Sequence, residues 1–181
     1  MEITPLIANC LDGDARAIEL FVHEHEETIF RLALSILDDP AEAEEAAQDA
    51  LLAALGALDT YRGGSAFSTW LYKITLNVCL RRLQKRRAWE RLKNTLYTLT
   101  RFFSDPPAHP EKTLLQNEAD ARLWHAVQTL DEKHRLPVIF RYYHDLPIAD
   151  IAQILGVHEG TLHSRLNTAR KRLRQILQVD P

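Results

Sequence analysis

Cysteine is nearly absent: Cys10 and Cys79 are the only two in 181 residues, far apart and without metal-ligand spacing. Neither a disulfide framework nor a zinc site can organise such a chain, and Cys79 reads as a small helix residue. Long apolar runs are lacking too, none approaching the ~18 residues a membrane-spanning helix needs. Met1-Glu2-Ile3-Thr4-Pro5 has neither the basic nor the apolar half of a secretory signal, so a cytoplasmic protein is expected. There is no phosphate-cradling glycine loop, Gly63-Gly64 being too short, and no serine nucleophile motif. His23-Glu24-His25-Glu26-Glu27 is not the His-Glu-x-x-His pattern, and its two histidines project to nearly opposite sides of a helix. No catalytic residue, metal or cofactor is therefore expected, and an enzyme is not. Alternation of strand length is also missing, which leaves an all-α fold.

Excess charge of one sign is lacking as well, with a net charge of −3, but the distribution is uneven. Asp38, Asp39, Glu42, Glu44, Glu45 and Asp49 form an acidic block. Arg81, Arg82, Lys85, Arg86, Arg87, Arg91 and Lys93 form a basic one, interrupted only by Glu90, and Arg165, Arg170, Lys171, Arg172 and Arg174 form another. A basic run is ordinarily a solvated face. Two of them on separate helices can also hold a polyanion at two places, each neutralised phosphate releasing counterions.

Apolar periodicity through Ile18, Phe21, Val22, Ile29, Leu32, Leu34 and Leu37 predicts two helices, or one bent helix, after Gly13-Asp14. Asp39-Pro40-Ala41-Glu42 predicts a new start: aspartate as cap, proline in the first turn, glutamate reaching back, the helix running to about Leu58. Asp59 to Ser65 reads as a loop, and a helix follows from about Ala66 to Trp89, carrying Phe67, Trp70, Leu71, Ile74, Val78 and Leu83. Asp105-Pro106-Pro107-Ala108-His109-Pro110 forbids regular helix and marks a linker, although residues 96–103 are apolar enough to dock on something or to extend the preceding helix. The expected plan is a domain over 1–92, a linker over 93–112 and a second domain over 113–181. In the last, Trp124, Val127 and Leu130 share one helix, and Pro137, Val138, Ile139 and Tyr142 the next.

The most telling stretch is the end. Leu146 to Leu155 and Glu159 onward are two helical patterns meeting at Gly156, where glycine takes a left-handed backbone without steric cost. Ala149 and Ala152 keep the first helix thin, and Pro147 fits its first turn. In the second, Leu162, Leu166, Ala169 and Leu173 face the core, leaving Gly160, His163, Ser164, Asn167, Thr168 and Lys171 opposite them with Arg165, Arg170 and Arg172 on the flanks. This is a helix-turn-helix whose second helix suits a major groove: short polar side chains reach base edges and arginines reach phosphates. The plainer alternative is an amphipathic helical hairpin with a solvated charged face.

Taken in order, the acidic helix Ala41 to Ala50, the segment Tyr61-Arg62-Gly63-Gly64-Ser65-Ala66-Phe67-Ser68-Thr69-Trp70-Leu71-Tyr72-Lys73-Ile74 and Asn77 before a basic helix resemble region two of bacterial sigma factors. Leu130 to Leu173 resembles their region four, and the short linker resembles the extracytoplasmic-function group, the likeness spanning about residues 12 to 177. The resemblance implies a two-domain, all-helical initiation factor whose partners are core RNA polymerase, promoter DNA (duplex and unpaired non-template strand) and, as a candidate, an anti-sigma factor.

By that resemblance, the acidic helix binds a coiled coil of the largest polymerase subunit through Glu45, Gln48, Asp49 and Leu52. Tyr61, Ser65, Phe67, Ser68 and Trp70 match the part that melts the promoter and holds unpaired bases, for which aromatic stacking offsets the cost of unstacking. Trp70 is equally readable as a core residue, and for Phe67 the core reading is the stronger one. Asn77, Arg81, Arg82, Lys85 and Arg86 would follow the upstream edge of the melted element. Thr161, His163, Ser164, Arg165, Asn167 and Lys171 would read the upstream promoter element. Arg81 stands where many relatives carry aspartate, Leu51, Leu55 and Gly56 where the family has aromatics, and Pro147 where a capping serine is frequent. No appended regulatory domain is expected after Pro181, and control is expected from partners or expression. The competing function is a free-standing helix-turn-helix regulator, which predicts a palindromic site and tight duplex binding without polymerase.

Overall fold

The computed structural model describes residues 5–99 and 118–179, and for 94–99, 118, 119 and 179 the backbone alone. Within these residues the chain is helical and holds no strand: α1 (Pro5–Leu11), α2 (Ala15–Leu37), α3 (Pro40–Gly56), α4 (Phe67–Leu99), α5 (Glu118–Thr129), α6 (Glu132–Val138), α7 (Ile148–Leu155) and α8 (Glu159–Val179). The expected all-α architecture of two small helical domains holds.

Local chemistry sets most of the helix ends in the first domain. Asp14, in extended conformation, starts α2 by accepting the N–H groups of Arg16 at 2.8 Å and Ala17 at 3.3 Å. The helix then runs unbroken to Leu37, so the periodicity that admitted two helices belongs to one. It stops at Asp38, in the left-handed region at φ 56°, which aspartate tolerates better than most residues. Asp39 caps α3 by accepting the Glu42 N–H at 2.9 Å, with Pro40 in the first turn. The expected return of the Glu42 side chain to its cap is not made, because that carboxylate pairs with Arg86 of α4 at 3.2 Å. On its buried side α3 carries Ala43, Ala46, Ala47, Ala50 and Ala54, small residues that let its axis approach α2 closely. It ends at Gly56, short of the expected Leu58, and Leu58–Thr60 forms one 3-10 turn. The short helix α1, with Ile7 and Cys10 buried, is an element the periodicity did not announce.

Helix α4 overruns its expected end near Trp89 and continues to Leu99, so the expected linker from 93 begins as helix. Residues 100–117, the start of the second domain expected at 113, and the side chains of the apolar stretch 96–103 lie outside the described residues. In the second domain Pro137, which has no N–H to donate, sits inside α6, and the chain widens into π-helix over Ile139–Tyr143. His144 N–H reaches back to the Ile139 carbonyl at 3.1 Å. Tyr142, expected with the apolar set, is exposed. Pro147 occupies the cap of α7 in extended conformation, one position before the expected first turn, and makes no side-chain cap. Gly156 closes α7 at φ 63°, as the sequence requires. On α8, Leu162, Leu166 and Ala169 are buried and Leu173 partly so.

The domains pack on one another, α4 against α7. Polar links cross the junction: Trp124 Nε1 donates to Asp38 Oδ1 at 2.9 Å, Ser35 Oγ lies 3.0 Å from His144 Nε2, and Arg87 pairs with Glu132 at 3.1 Å.

Candidate nucleic-acid interface

Around the loop before α4 the aromatic side chains converge. Tyr61 and Phe67 lie 5.2 Å apart edge to face, Phe67 and Trp70 5.2 Å, and Tyr61 and Trp70 5.6 Å between ring centroids. Fully buried Phe21 supports Phe67 from below at 6.0 Å, and His25 stands 5.6 Å from the same ring. Burial pushes the His25 imidazole below its ordinary range, and the ring packs between Phe21 and Phe67. Tyr61 donates its hydroxyl to the Ser65 carbonyl at 2.8 Å, closing the loop on itself. Phe67 and Trp70 are both half-buried and packed against the core, and Trp70 also lines an open cavity of about 330 Å³ with Tyr61, Arg62, Ser65 and Lys73. Ser68 is exposed on the first turn of α4.

The basic helix is divided lengthwise. Lys73, Asn77, Arg81 and Lys85 recur every four residues, share one face, and are all exposed. Arg82 and Arg86 turn instead to α3. Arg82 donates Nη1 to Glu45 at 2.8 Å and Nη2 to Asp49 at 2.5 Å, and Arg86 pairs with Glu42. Those bonds hold the Arg82 guanidinium above its ordinary range. Candidate DNA contacts and candidate polymerase contacts, kept apart in the sequence reading, are thus partners. Gln48 and Leu52 lie exposed beside them on α3. On the buried side of α4, Cys79 is fully enclosed and burial pushes its thiol up to about 12, an inert packing residue.

Helix α8 presents Thr161, His163, Ser164, Asn167 and Lys171 to solvent, with Arg165 half-buried. Arg172, expected on the flank of that face, approaches Asp131 at 3.5 Å, and the same carboxylate bonds the buried ring of His134. Arg165 borders a second cavity, of about 280 Å³, between the domains, opposite Lys73 and Asn77 of α4. His23 pairs with Glu26 at 3.4 Å while His25 packs on aromatics, so the two histidines diverge.

Residues 21–89 match the family model of Sigma-70 region 2, and residues 120–173 that of Sigma-70, region 4. The RNA polymerase sigma-H factor of Pseudomonas aeruginosa is 32% identical over 178 residues, covering 96% of this chain and 92% of that protein. The chain belongs to the sigma-70 family. ECF RNA polymerase sigma factor SigM of Mycobacterium tuberculosis, 31% identical over 95% of this chain and 83% of its own, places it in the extracytoplasmic-function group. Among solved structures, CnrH in complex with the cytosolic domain of CnrY superposes with a TM-score of 0.68 at 23% identity over 97% of each chain. RpoE of Bartonella quintana, in complex with the anti-sigma factor NepR, gives 0.67 at 24% identity over 90% of this chain and 98% of its own. Both show the same fold. The chain is a sigma factor that directs transcription initiation, and a free-standing regulator does not account for the region 2 match.

Two residues of this sigma factor at the candidate surfaces escaped the sequence reading. Lys73 precedes Asn77 by one helical turn and touches both cavities; its i−4 spacing from Asn77 was the available signal. Gln153, on α7, lines the aromatic cavity from the other domain, and no local pattern could have paired it with Trp70. No helix among the described residues is long and apolar enough to cross a membrane.

Proposed function

We propose that this sigma factor, a DNA-binding regulatory subunit without catalytic residues of its own, acts in the cytoplasm and divides its work among three surfaces. The exposed side of α3, through Glu45, Gln48, Asp49 and Leu52, binds core RNA polymerase. Tyr61, Ser65, Phe67, Ser68 and Trp70 hold the unpaired non-template strand, with Asn77, Arg81 and Lys85 continuing along the upstream duplex and Lys73 joining them. Thr161, His163, Ser164, Arg165, Asn167 and Lys171 of α8 read the upstream element. The domain limits of 1–92 and 113–181 follow that division, with polymerase binding and melting in the first and upstream recognition in the second. An anti-sigma factor is the candidate negative partner, on the precedent of RpoE with NepR.

The observation that carries this reading is the cavity beside Trp70, aromatic on one wall and opening toward an exposed polar stripe on the same helix. Stacking on aromatic faces and neutralisation of phosphates are the two terms that single-strand binding needs. The test is run-off transcription with core polymerase on promoter fragments, with and without this protein. New start sites sharing two spaced sequence elements are expected, and Ser164→Ala with Arg165→Ala should relax the upstream element while polymerase binding persists. An unchanged upstream preference would overturn the α8 assignment. Absence of new starts alongside tight duplex binding by the protein alone would overturn the division of work as a whole.

A further inference from the structure

We infer that Arg82 serves the polymerase-binding face and not promoter DNA: it is a positioning residue that holds Glu45 and Asp49 in the arrangement core polymerase meets. The inference rests on reading α3 as the polymerase-binding helix. Glu45 and Asp49 are four residues apart and lie one above the other on α3. Arg82 reaches across from α4 and gives each one a nitrogen of the same planar group, at 2.8 Å and 2.5 Å. A guanidinium fork fixes the separation of two acceptors, which a lysine ammonium, a single rotating point, cannot do.

Burial and charge point the same way. The Arg82 side chain is 23% exposed, with its Nε buried, while the Glu45 and Asp49 side chains are 71% and 56% exposed. The cation lies beneath and the anions face outward. Two carboxylates against one guanidinium leave one negative charge in surplus, which repels a phosphate and attracts a basic helix. To reach a phosphate, Arg82 would have to leave both carboxylates. Arg81 and Lys85 are exposed on the same helix, and the ion pairs to α3 are made by Arg82 and Arg86, so the duplex has cations that need not be stripped from a partner.

The experiment uses the full-length protein with core polymerase and reads two quantities: affinity for core polymerase, and the salt dependence of promoter binding by holoenzyme assembled at saturating core. Arg82→Gln and Arg82→Lys are expected to weaken core binding by about 5-fold, the scale of coupling within one ion-pair network. The lysine variant keeps stem and charge and decides the matter if the glutamine variant melts early. Neither should change the salt slope, whereas Lys85→Gln should lower it by about one. Arg82→Gln should add little once Glu45→Gln and Asp49→Asn are in place. Unchanged core affinity with a salt slope reduced as in Lys85→Gln would overturn the inference. If Glu45→Gln and Asp49→Asn weaken core binding but the Arg82 variants do not, positioning fails by itself. If those two do not weaken it either, the polymerase reading of α3 fails with it.

Discussion

Gly156 is required by its backbone alone: at φ 63° a Cβ would meet nothing within 4 Å, so no side-chain clash enters. Gly156→Ala should therefore destabilise the second domain by about 1 kcal/mol, the cost of a left-handed L-residue, read as a shift of the denaturant midpoint at constant slope. Trp70 is set by its surroundings instead, touching Phe67 and Tyr61 on one side and open space on the other. Trp70→Ala should reduce open-complex formation, followed by permanganate reactivity of unpaired thymines, by about 10-fold, since one base stacked on an aromatic is worth roughly 1–3 kcal/mol. Binding of closed duplex should hold. Equal loss of both, with an unfolded circular-dichroism spectrum, would return Trp70 to the core.

At the scale of the element, α3 shows what its alanines do. Ala50 is fully buried on α3, which packs on α2 and α4, so Ala50→Leu should overpack the contact and destabilise by about 1–3 kcal/mol, measured by thermal unfolding, although leucine ranks close behind alanine as a helix former. Periodicity and caps made α2, α3, α7 and α8 legible, because Asp14, Asp39 and Gly156 act on their own neighbours. The end of α4 was not: Glu90, Arg91 and Lys93 favour helix as readily as solvated loop, and no breaker stands before Asp105. The widened turn after Pro137 was not legible either, since proline marks an interruption without saying whether the helix stops or loosens. Among candidate site residues, those on one helix face came out together, as Thr161, His163, Ser164 and Asn167 did, whereas the pairing of Arg82 was not legible because its partners lie 33 and 37 positions away on another helix.

Across the whole molecule, the docked arrangement brings the edges of the two candidate DNA surfaces together. Gln153 of α7 lines the cavity beside Trp70, and Arg165 of α8 faces Asn77. On the proposed division of work, holding two spaced promoter elements requires these edges to part, which calls for a releasable junction. Its polar links suit that. His144 makes docking sensitive to protons. Ser35 gives its hydroxyl proton to the Leu32 carbonyl at 2.8 Å, so it accepts from His144 Nε2. Phe140, Tyr72 and Tyr143 surround the ring, Arg31 is the nearby cation, and burial brings the His144 pKa to about 4. A histidine neutral when docked and free to protonate when released contributes its full stabilisation above its ordinary value of 6.5, and loses it as pH falls from there toward 4. The separation between dyes placed on α2 and α8 should therefore grow as pH drops from about 6.5 to about 5, above the range in which most carboxylates titrate. His144→Gln retains an Nε donor without a titrating ring, so it should remove the pH response in that window and leave docking at neutral pH. A response of equal size in the variant would assign the proton to another group.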